Sequence, residues 1–276
     1  MSYKTILVHL ELGKSNEGLL AIAGGLAEKL HADVIGVAAC QPVQIMYDAT
    51  YVAGEILEDD RKEIKKQIDE AEQQFRKAFA GRAKIIDWRT SVNYSALCDY
   101  IAHQARAADL VVTGTDIGGS MFDSTRRVNI ADLVMQAGRP VLIVPSDRVA
   151  LDLGHIVVGW KGSRESRLAI MEALPLLRLA RQVTVVEIAS SDDTSRDKYY
   201  VDDVVGWLNR HGIEATAAVI PPKGEDGQHL AGYAAEKGAD LIVAGAYGHS
   251  RVREWVLGGV TEDFLLRPNR CVLVAH

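Results

Sequence analysis

The sequence has no apolar run long enough to cross a lipid bilayer, and it has little cysteine. Its longest apolar run, residues 19–27, contains two glycines and is far shorter than the ~20 residues of a spanning helix. Cys40, Cys98 and Cys271 are odd in number and lack metal-ligand spacing, which argues against a disulfide framework or a cysteine-held metal. The first residues form no basic-then-apolar leader. We therefore predict a cytoplasmic protein with reduced, buried thiols and no membrane partner.

Excess positive charge is also missing. The 276 residues include 31 Lys and Arg against 37 Asp and Glu, a net charge of −6, and no basic block. Nucleic-acid binding depends on clustered basic side chains that release counterions, so the composition argues against that partner. With 48% hydrophobic and 25% charged residues, the chain has the composition of a globular protein with room for about two domains.

Catalytic signatures are absent as well. No Gly-x-Ser-x-Gly nucleophile elbow occurs, and His9, His103 and His229 have no metal-ligand spacing. Gly13-Lys14-Ser15 resembles the end of a phosphate-binding P-loop, but Val8 stands where that motif needs its first glycine. We predict no catalytic residue and no bound metal from these patterns.

The sequence contains an internal repeat. Residues 107–114 read AADLVVTG and residues 238–245 read GADLIVAG, which places Asp109 and Asp240 131 positions apart. The same offset superimposes residues 139–143 on 270–274. Solenoid repeats have periods of only ~20–50 residues, so this period indicates duplication of a whole domain. We predict domains over residues 1–147 and 152–276, with a linker near residues 145–154.

Within each copy, short β-branched runs alternate with helical patterns. The predicted strands are residues 5–10, 33–39, 83–88, 109–113, 140–144, 155–160, 182–188, 214–220, 240–244 and 271–275. The predicted helices include residues 15–30, 163–178, 196–210, 228–237 and 251–266, together with a charged stretch whose apolar stripe runs from Leu57 to Phe79. Continuously apolar strands are typical of parallel sheets covered on both faces. The pattern predicts two tandem, doubly wound, five-stranded parallel-sheet α/β domains of Rossmann-like type.

Glycines follow the fourth strand of the second copy. Gly245 ends that strand, Gly248 comes after two intervening residues, and Gly258 and Gly259 come after nine more. Ligands of open parallel sheets bind beyond the carboxyl ends of the strands. Glycine lets backbone N–H groups approach an anion there, and a helix N-terminus adds to the attraction. The pattern fits a phosphate cradle, and it equally fits glycines that only shape a turn and allow close packing.

The first copy lacks most of these glycines. Ile117, Arg127 and Val128 occupy the positions of Gly248, Gly258 and Gly259, and Gly114 alone matches. We therefore predict a ligand in the second copy and none of that kind in the first.

The pattern Gly-x2-Gly-x9-Gly, between a strand and a final strand, resembles the nucleotide-binding signature of the universal stress protein family. The resemblance covers essentially the whole chain as two tandem domains, and the loop Trp160-Lys161-Gly162-Ser163 is similar to the family's Asp-Gly-Ser loop. It implies a stress-response protein that binds ATP, with or without Mg²⁺. The residues that it places at the nucleotide are Trp160, Lys161, Ile188, Ala244, Gly245, Gly248, His249, Gly258, Gly259, Val260 and Thr261.

The second copy departs from the family pattern at two places. Gly259 stands where the family has Ser or Thr, and Thr261 is the candidate replacement hydroxyl. Lys161 replaces the acidic residue, so it cannot accept a hydrogen bond from a ribose hydroxyl and would instead pair with phosphate. Trp160 either packs on the sheet or stacks on the base, and His249 either donates to phosphate or is solvated.

Three functions follow from the sequence. The first is a nucleotide-binding regulatory module. The second is a protein-interaction or small-ligand module that has lost nucleotide binding. The third is a slow ATPase, for which Thr261, His249 and Glu262 are the only candidate groups near the γ-phosphate. In the family the last strands pair between domains, so strands 140–144 and 271–275 predict an internal pseudo-dimer, with a homodimer also open.

Overall fold

The structure of the protein, a computed structural model, describes residues 2–43, 52–115, 126–189, 194–246 and 270–276. The strands are β1 (Thr5–His9), β2 (Asp33–Cys40), β3 (Ile86–Val92), β4 (Leu110–Gly114), β5 (Val141–Val144), β6 (His155–Trp160), β7 (Gln182–Ile188), β8 (Ala215–Ile220), β9 (Leu241–Gly245) and β10 (Cys271–Ala275). The helices in the described part are α1 (Glu17–Leu30), α2 (Val52–Phe79), α3 (Leu97–Gln104), α4 (Ile130–Ala137), α5 (Arg164–Leu177), α6 (Ser195–Arg210) and α7 (Asp226–Glu236).

The ten predicted strands are all present, and one of them lies further along the chain than predicted. The third strand was expected at residues 83–88 and is found at Ile86–Val92. The amides of Arg82 and Ala83 donate to the carbonyl oxygen of Phe79, so these residues still close the last turn of α2. The short helices α3 and α4 were not predicted, and the predicted helix at residues 251–266 lies outside the described residues.

All ten strands form one sheet in the order β3-β2-β1-β4-β5-β10-β9-β6-β7-β8. Neighbouring strands are parallel except for the central pair, in which β5 and β10 run antiparallel. Each half contributes five strands with the order of a doubly wound fold, which confirms the predicted fold class. The antiparallel pair joins the last strand of one half to the last strand of the other, as the internal pseudo-dimer requires.

Helices cover both faces of the sheet. Apolar side chains of α1, α2, α5 and α6 form one core with alternate strand residues such as Val8 and Val158. Side chains of α3, α4 and α7 form the second core with the intervening strand residues, such as Leu7 and Val157. Because the inner strands are buried on both faces, sequences such as those of β9 and β10 are continuously apolar rather than alternating. The edge strands β3 and β8 are only partly buried.

The segment between β5 and β6 packs against the rest of the protein through two buried leucines. Leu151 and Leu153 are buried, and Lys29 Nζ lies 3.5 Å from the Leu151 carbonyl oxygen. The halves also meet where Tyr3 Oη donates to the carbonyl oxygen of Glu172 at 2.6 Å. The boundaries at residues 147 and 152 remain a prediction, since sheet and core run through this region. None of the described helices is long and apolar enough to cross a membrane.

Candidate functional site

The carboxyl edge of the sheet between β6 and β9 is the candidate site. The chain leaves β6 toward α5 on one face of the sheet, whereas α7, which leads to β9, covers the other face. The strand order reverses at this point, with β7 and β8 on one side of β6 and β9 and β10 on the other. Ligands of doubly wound sheets bind at such a switch point.

The loop after β6 is held by the start of α5. Gly162 has a φ of +59°, which suits glycine, and Ser163 is the N-cap residue. Its Oγ accepts from the Ser166 amide at 3.2 Å. Trp160 at the end of β6 is half-buried against the core on the α5 side, so the packing interpretation of this residue agrees with the structure.

Lys161 points away from that core and is paired. Its Nζ donates to Oδ2 of Asp226, the first residue of α7, at 3.1 Å. Both side chains are largely exposed, at 61% for Lys161 and 40% for Asp226. The sequence predicts a phosphate contact for Lys161 and gives no role to Asp226. The only signal for Asp226 was its place two residues before the predicted helix at residues 228–237, since acidic residues are common near helix starts.

The end of β9 is lined by small residues in tight contact with α5. A Cβ on Gly245 would lie 2.5 Å from the carbonyl carbon of Glu165 and 2.6 Å from the amide nitrogen of Ser166. No side chain fits there, so Gly245 has a packing role whether or not a ligand binds. Ala244 and Ala246 on either side of it are buried.

The end of β7 contributes Ile188 and an acidic residue that sequence reasoning missed. Ile188 is half-buried on the α7 side. Glu187, which pairs in register with Trp160, has a carboxylate oxygen, Oε2, that is buried with no hydrogen-bond partner among the described residues. Burial, and then the nearby carboxylate of Asp197 on α6, raises the pKa of Glu187 to about 7. The signal in the sequence was a carboxylate that follows the apolar pair Val185-Val186 in a strand.

The equivalent edge in the first half carries larger, polar side chains. The strand registers place His9 at the position of Gly159, and Thr113 at that of Ala244. His9 Nδ1 lies 2.9 Å from Thr113 Oγ1. Burial of His9, and then the charge of Lys14, lowers its pKa to about 4. Its imidazole is therefore neutral at physiological pH.

Hydrophobic side chains close the remaining space beside that pair. The small cavity at this place is lined by His9, Glu11, Thr113, Gly114, Val128 and Ile130. Val128, which aligns with Gly259, is buried, and Glu11 forms an ion pair with Lys14. The first copy thus fills its own edge with side chains.

The structure brings five of the predicted site residues to one edge: Trp160, Lys161, Ile188, Ala244 and Gly245. Gly248, His249, Gly258, Gly259, Val260 and Thr261 lie outside the described residues, so their part in the site stays a prediction. Within the described ranges, no group of three or more His, Cys, Asp or Glu side chains is placed to hold a metal ion.

A ten-stranded sheet made of two doubly wound halves defines a tandem, doubly wound α/β protein. Residues 153–276 match the model of the universal stress protein family, which is the family that the sequence resembles.

Solved structures extend the similarity of fold to the whole chain. A universal stress protein from Archaeoglobus fulgidus DSM 4304 is 14% identical with a TM-score of 0.74, and the match covers 98% of this chain and 95% of that one. A putative universal stress protein from Pseudomonas aeruginosa UCBPP-PA14 is 16% identical with a TM-score of 0.62, covering 99% and 93%. No curated protein sequence gives a significant match.

Proposed function

We propose that this protein is a cytoplasmic, nucleotide-binding regulatory protein of the stress response, with one ATP-type site at the carboxyl edge of its second half. Nucleotide occupancy changes its conformation or its choice of partner. Ile188 flanks the base, Lys161 pairs with a phosphate, and the backbone at Gly248, Gly258 and Gly259 holds the remaining phosphates.

The observation that carries the proposal is the difference between the two equivalent edges. In the second half the strand ends carry Gly159, Ala244 and Ala246, whose side chains are minimal. Leu230 of α7 packs over Gly159, with its Cδ2 2.5 Å from where a Cβ would lie, so a ligand there would displace the end of that side chain. In the first half the same positions hold His9, Thr113 and Thr115. A base and a ribose need space beside the backbone at this edge, and the second half is the one with small side chains there.

The chemistry at this edge favours binding over turnover. Among the described residues, Lys161, Glu165, Glu187 and Asp226 are charged groups near the strand ends. The Ser163 hydroxyl, which hydrogen-bonds to Glu165, is engaged at the N-cap of α5, where its Oγ also accepts from the Ser166 amide. Neither Lys161, an exposed cation, nor Glu187, whose Oε2 is buried, is placed as a general base. We therefore propose a binding protein, with ATP hydrolysis slow and incidental.

The test is direct measurement of bound and added nucleotide. Purified protein is denatured and its supernatant analysed by mass spectrometry, and protein stripped of nucleotide is titrated with ATP by calorimetry. We expect one ATP per chain, because only the second edge accepts it. A protein that is empty and also fails to bind ATP would contradict the proposal and favour an interaction or small-ligand module. Two equivalents per chain would contradict the assignment to one half.

A single substitution tests the predicted glycine cradle. Gly248→Val should abolish ATP binding with the fold intact, because Ile117 already occupies the equivalent place in the first copy. The matched control is Gly54→Val on α2, where nothing lies within 4 Å of an added Cβ. Normal ATP binding by Gly248→Val would show that the cradle lies elsewhere. Far-ultraviolet circular dichroism checks that both variants are folded.

A further inference from the structure

The ion pair between Lys161 and Asp226 crosses the carboxyl edge of the sheet. Lys161 directly follows β6, in the loop that leads to α5 on one face. Asp226 begins α7, which packs on the opposite face through Leu230 and Ala234. The 3.1 Å contact between Nζ and Oδ2 therefore joins the two helical layers over the edge where the ligand is proposed to lie.

This ion pair is of a kind that exchanges partners easily. Both side chains are solvent-exposed, and exposed Lys–carboxylate pairs contribute only ~0–1 kcal/mol. Asp226 also has a second favourable interaction, because it lies in the first turn of α7, where the helix dipole attracts negative charge. Lys161 can therefore leave Asp226 without leaving a buried charge unpaired.

We propose that Asp226 is a positioning residue that holds Lys161 until a phosphate of the ligand replaces it. The carboxylate is the resting partner of the lysine and competes with the phosphate for it. Asp226 thereby lowers the affinity for phosphate-bearing ligands and leaves the affinity for a bare nucleoside unchanged. The inference rests on the proposed nucleotide function and adds to it the residue that sets the strength of the phosphate contact.

Removing the competing charge should tighten ATP binding. In calorimetric titrations of the full chain at low ionic strength, we expect Asp226→Asn to bind ATP about 2- to 5-fold more tightly, the factor that corresponds to an exposed ion pair. Lys161→Met should bind ATP more weakly, and the double variant should match Lys161→Met, because Asp226 acts only through the lysine. The gain should shrink at high salt, where exposed charges are screened.

Two controls separate this effect from a general change of charge or stability. Glu236→Gln makes the same change of charge at the other end of α7, where Glu236 Oε1 lies 3.4 Å from Lys237 Nζ. This variant should leave the ATP affinity unchanged. Adenosine, which has no phosphate, should bind the wild type and Asp226→Asn equally. Asp226→Ser provides a second uncharged variant with a shorter side chain.

The outcomes are distinct. If wild-type protein binds ATP but neither Asp226→Asn nor Asp226→Ser binds it more tightly, the role of Asp226 is wrong and the nucleotide site stands. The role of Asp226 is also wrong, with the nucleotide site intact, if Asp226→Asn still tightens ATP binding in the Lys161→Met background. It is wrong as well if Glu236→Gln tightens ATP binding by the same factor. If the wild type binds no ATP, the nucleotide function and the role of Asp226 are both overturned.

Discussion

Leu142 and Leu273 face each other across the antiparallel strands β5 and β10, and they are the same position in the two copies, 131 residues apart. On either side of them, Val141 pairs with Val274 and Ile143 with Val272. Equivalent residues thus exchange partners about a local twofold axis that passes between the two leucines. This is the geometry of an isologous interface, formed here within one chain. It also pairs two strands that would otherwise be exposed edges.

We expect Leu142→Ala and Leu273→Ala to destabilise the protein by similar amounts, about 2–5 kcal/mol each, because both side chains are buried and each change leaves a cavity. Urea unfolding followed by circular dichroism measures the loss. Leu179→Ala, at a side chain that is 38% exposed, is the control and should cost much less. Since the leucines share one sheet, each variant should shift a single transition. Two transitions, with only one shifted, would mean that the halves unfold independently.

Asp109 and Asp240 play the same structural role in the two copies. Asp109 Oδ2 accepts from the amides of Lys4 at 2.7 Å and Thr5 at 3.0 Å. Asp240 Oδ2 accepts from those of Gly154 at 2.6 Å and His155 at 3.1 Å. The aspartate in the repeated sequence thus ties the first strand of each half to the fourth.

Truncation of this carboxylate should destabilise the protein because two amides lose a charged acceptor. We expect Asp240→Ala to lower the free energy of unfolding by about 1–3 kcal/mol. The matched control is Asp152→Ala, an exposed aspartate nearby in the chain. An equal effect of the two substitutions would show that the hydrogen bonds of Asp240 contribute nothing beyond its charge.

The hydrogen bond from Tyr3, two residues before β1 of the first half, reaches Glu172 in α5 of the second. The Tyr3 side chain is buried, and this burial raises the pKa of its hydroxyl. Tyr3→Phe removes the donor and leaves the Glu172 carbonyl oxygen without it, which should cost about 1–3 kcal/mol. Thermal unfolding measures the change. Tyr199→Phe, on a ring that is 71% exposed, should be neutral, and a neutral Tyr3→Phe would contradict the prediction.

Glu187 should make the stability of the protein depend on pH in the direction opposite to that of a salt-bridged carboxylate. Its pKa is about 7 in the folded protein, against 4.5 for an ordinary glutamate. Between these values the folded state binds the proton and the unfolded state does not, so stability falls as pH rises from about 4.5 to about 7. Above about pH 7 this contribution is constant.

Glu187→Gln tests this pH dependence because glutamine stays neutral at every pH. We expect the variant to lack the fall in stability between about pH 4.5 and about pH 7 that the wild type shows in urea unfolding. Glu214→Gln, at an exposed glutamate before β8, should retain it. A wild-type slope that survives in Glu187→Gln would assign the proton to another group.

Periodicity alone was enough to predict the strands because burial on both faces leaves a continuous apolar run, as in β9 and β10. The short helices α3 and α4 escaped prediction because eight residues carry too few turns for a clear period. The predicted bounds of β3 were wrong by a few residues. Residues 82–83 belong to the last turn of α2 through backbone hydrogen bonds, and no sequence pattern marks those bonds.

At the site, the sequence identified positions but not their partners. Trp160, Lys161 and Ile188 were predicted to lie at strand ends, and they do. Asp226 and Glu187 were missed because their importance comes from what they approach in space: Asp226 is 65 positions from Lys161, and Glu187 is influenced by Asp197 across β7 and α6. The exclusion of side chains at Gly245 likewise depends on how closely α5 packs.

By itself, the sequence determined that the protein is a duplicated, doubly wound α/β chain, because a repeat and an apolar period are properties of residue order. Only the tertiary structure decided that the two halves share one sheet about the Leu142–Leu273 pair. It also decided that the first edge is occupied by His9 and Thr113, and that Lys161 is held by Asp226. These relationships depend on distances between residues far apart in the chain, which are set by how strands pair and helices pack.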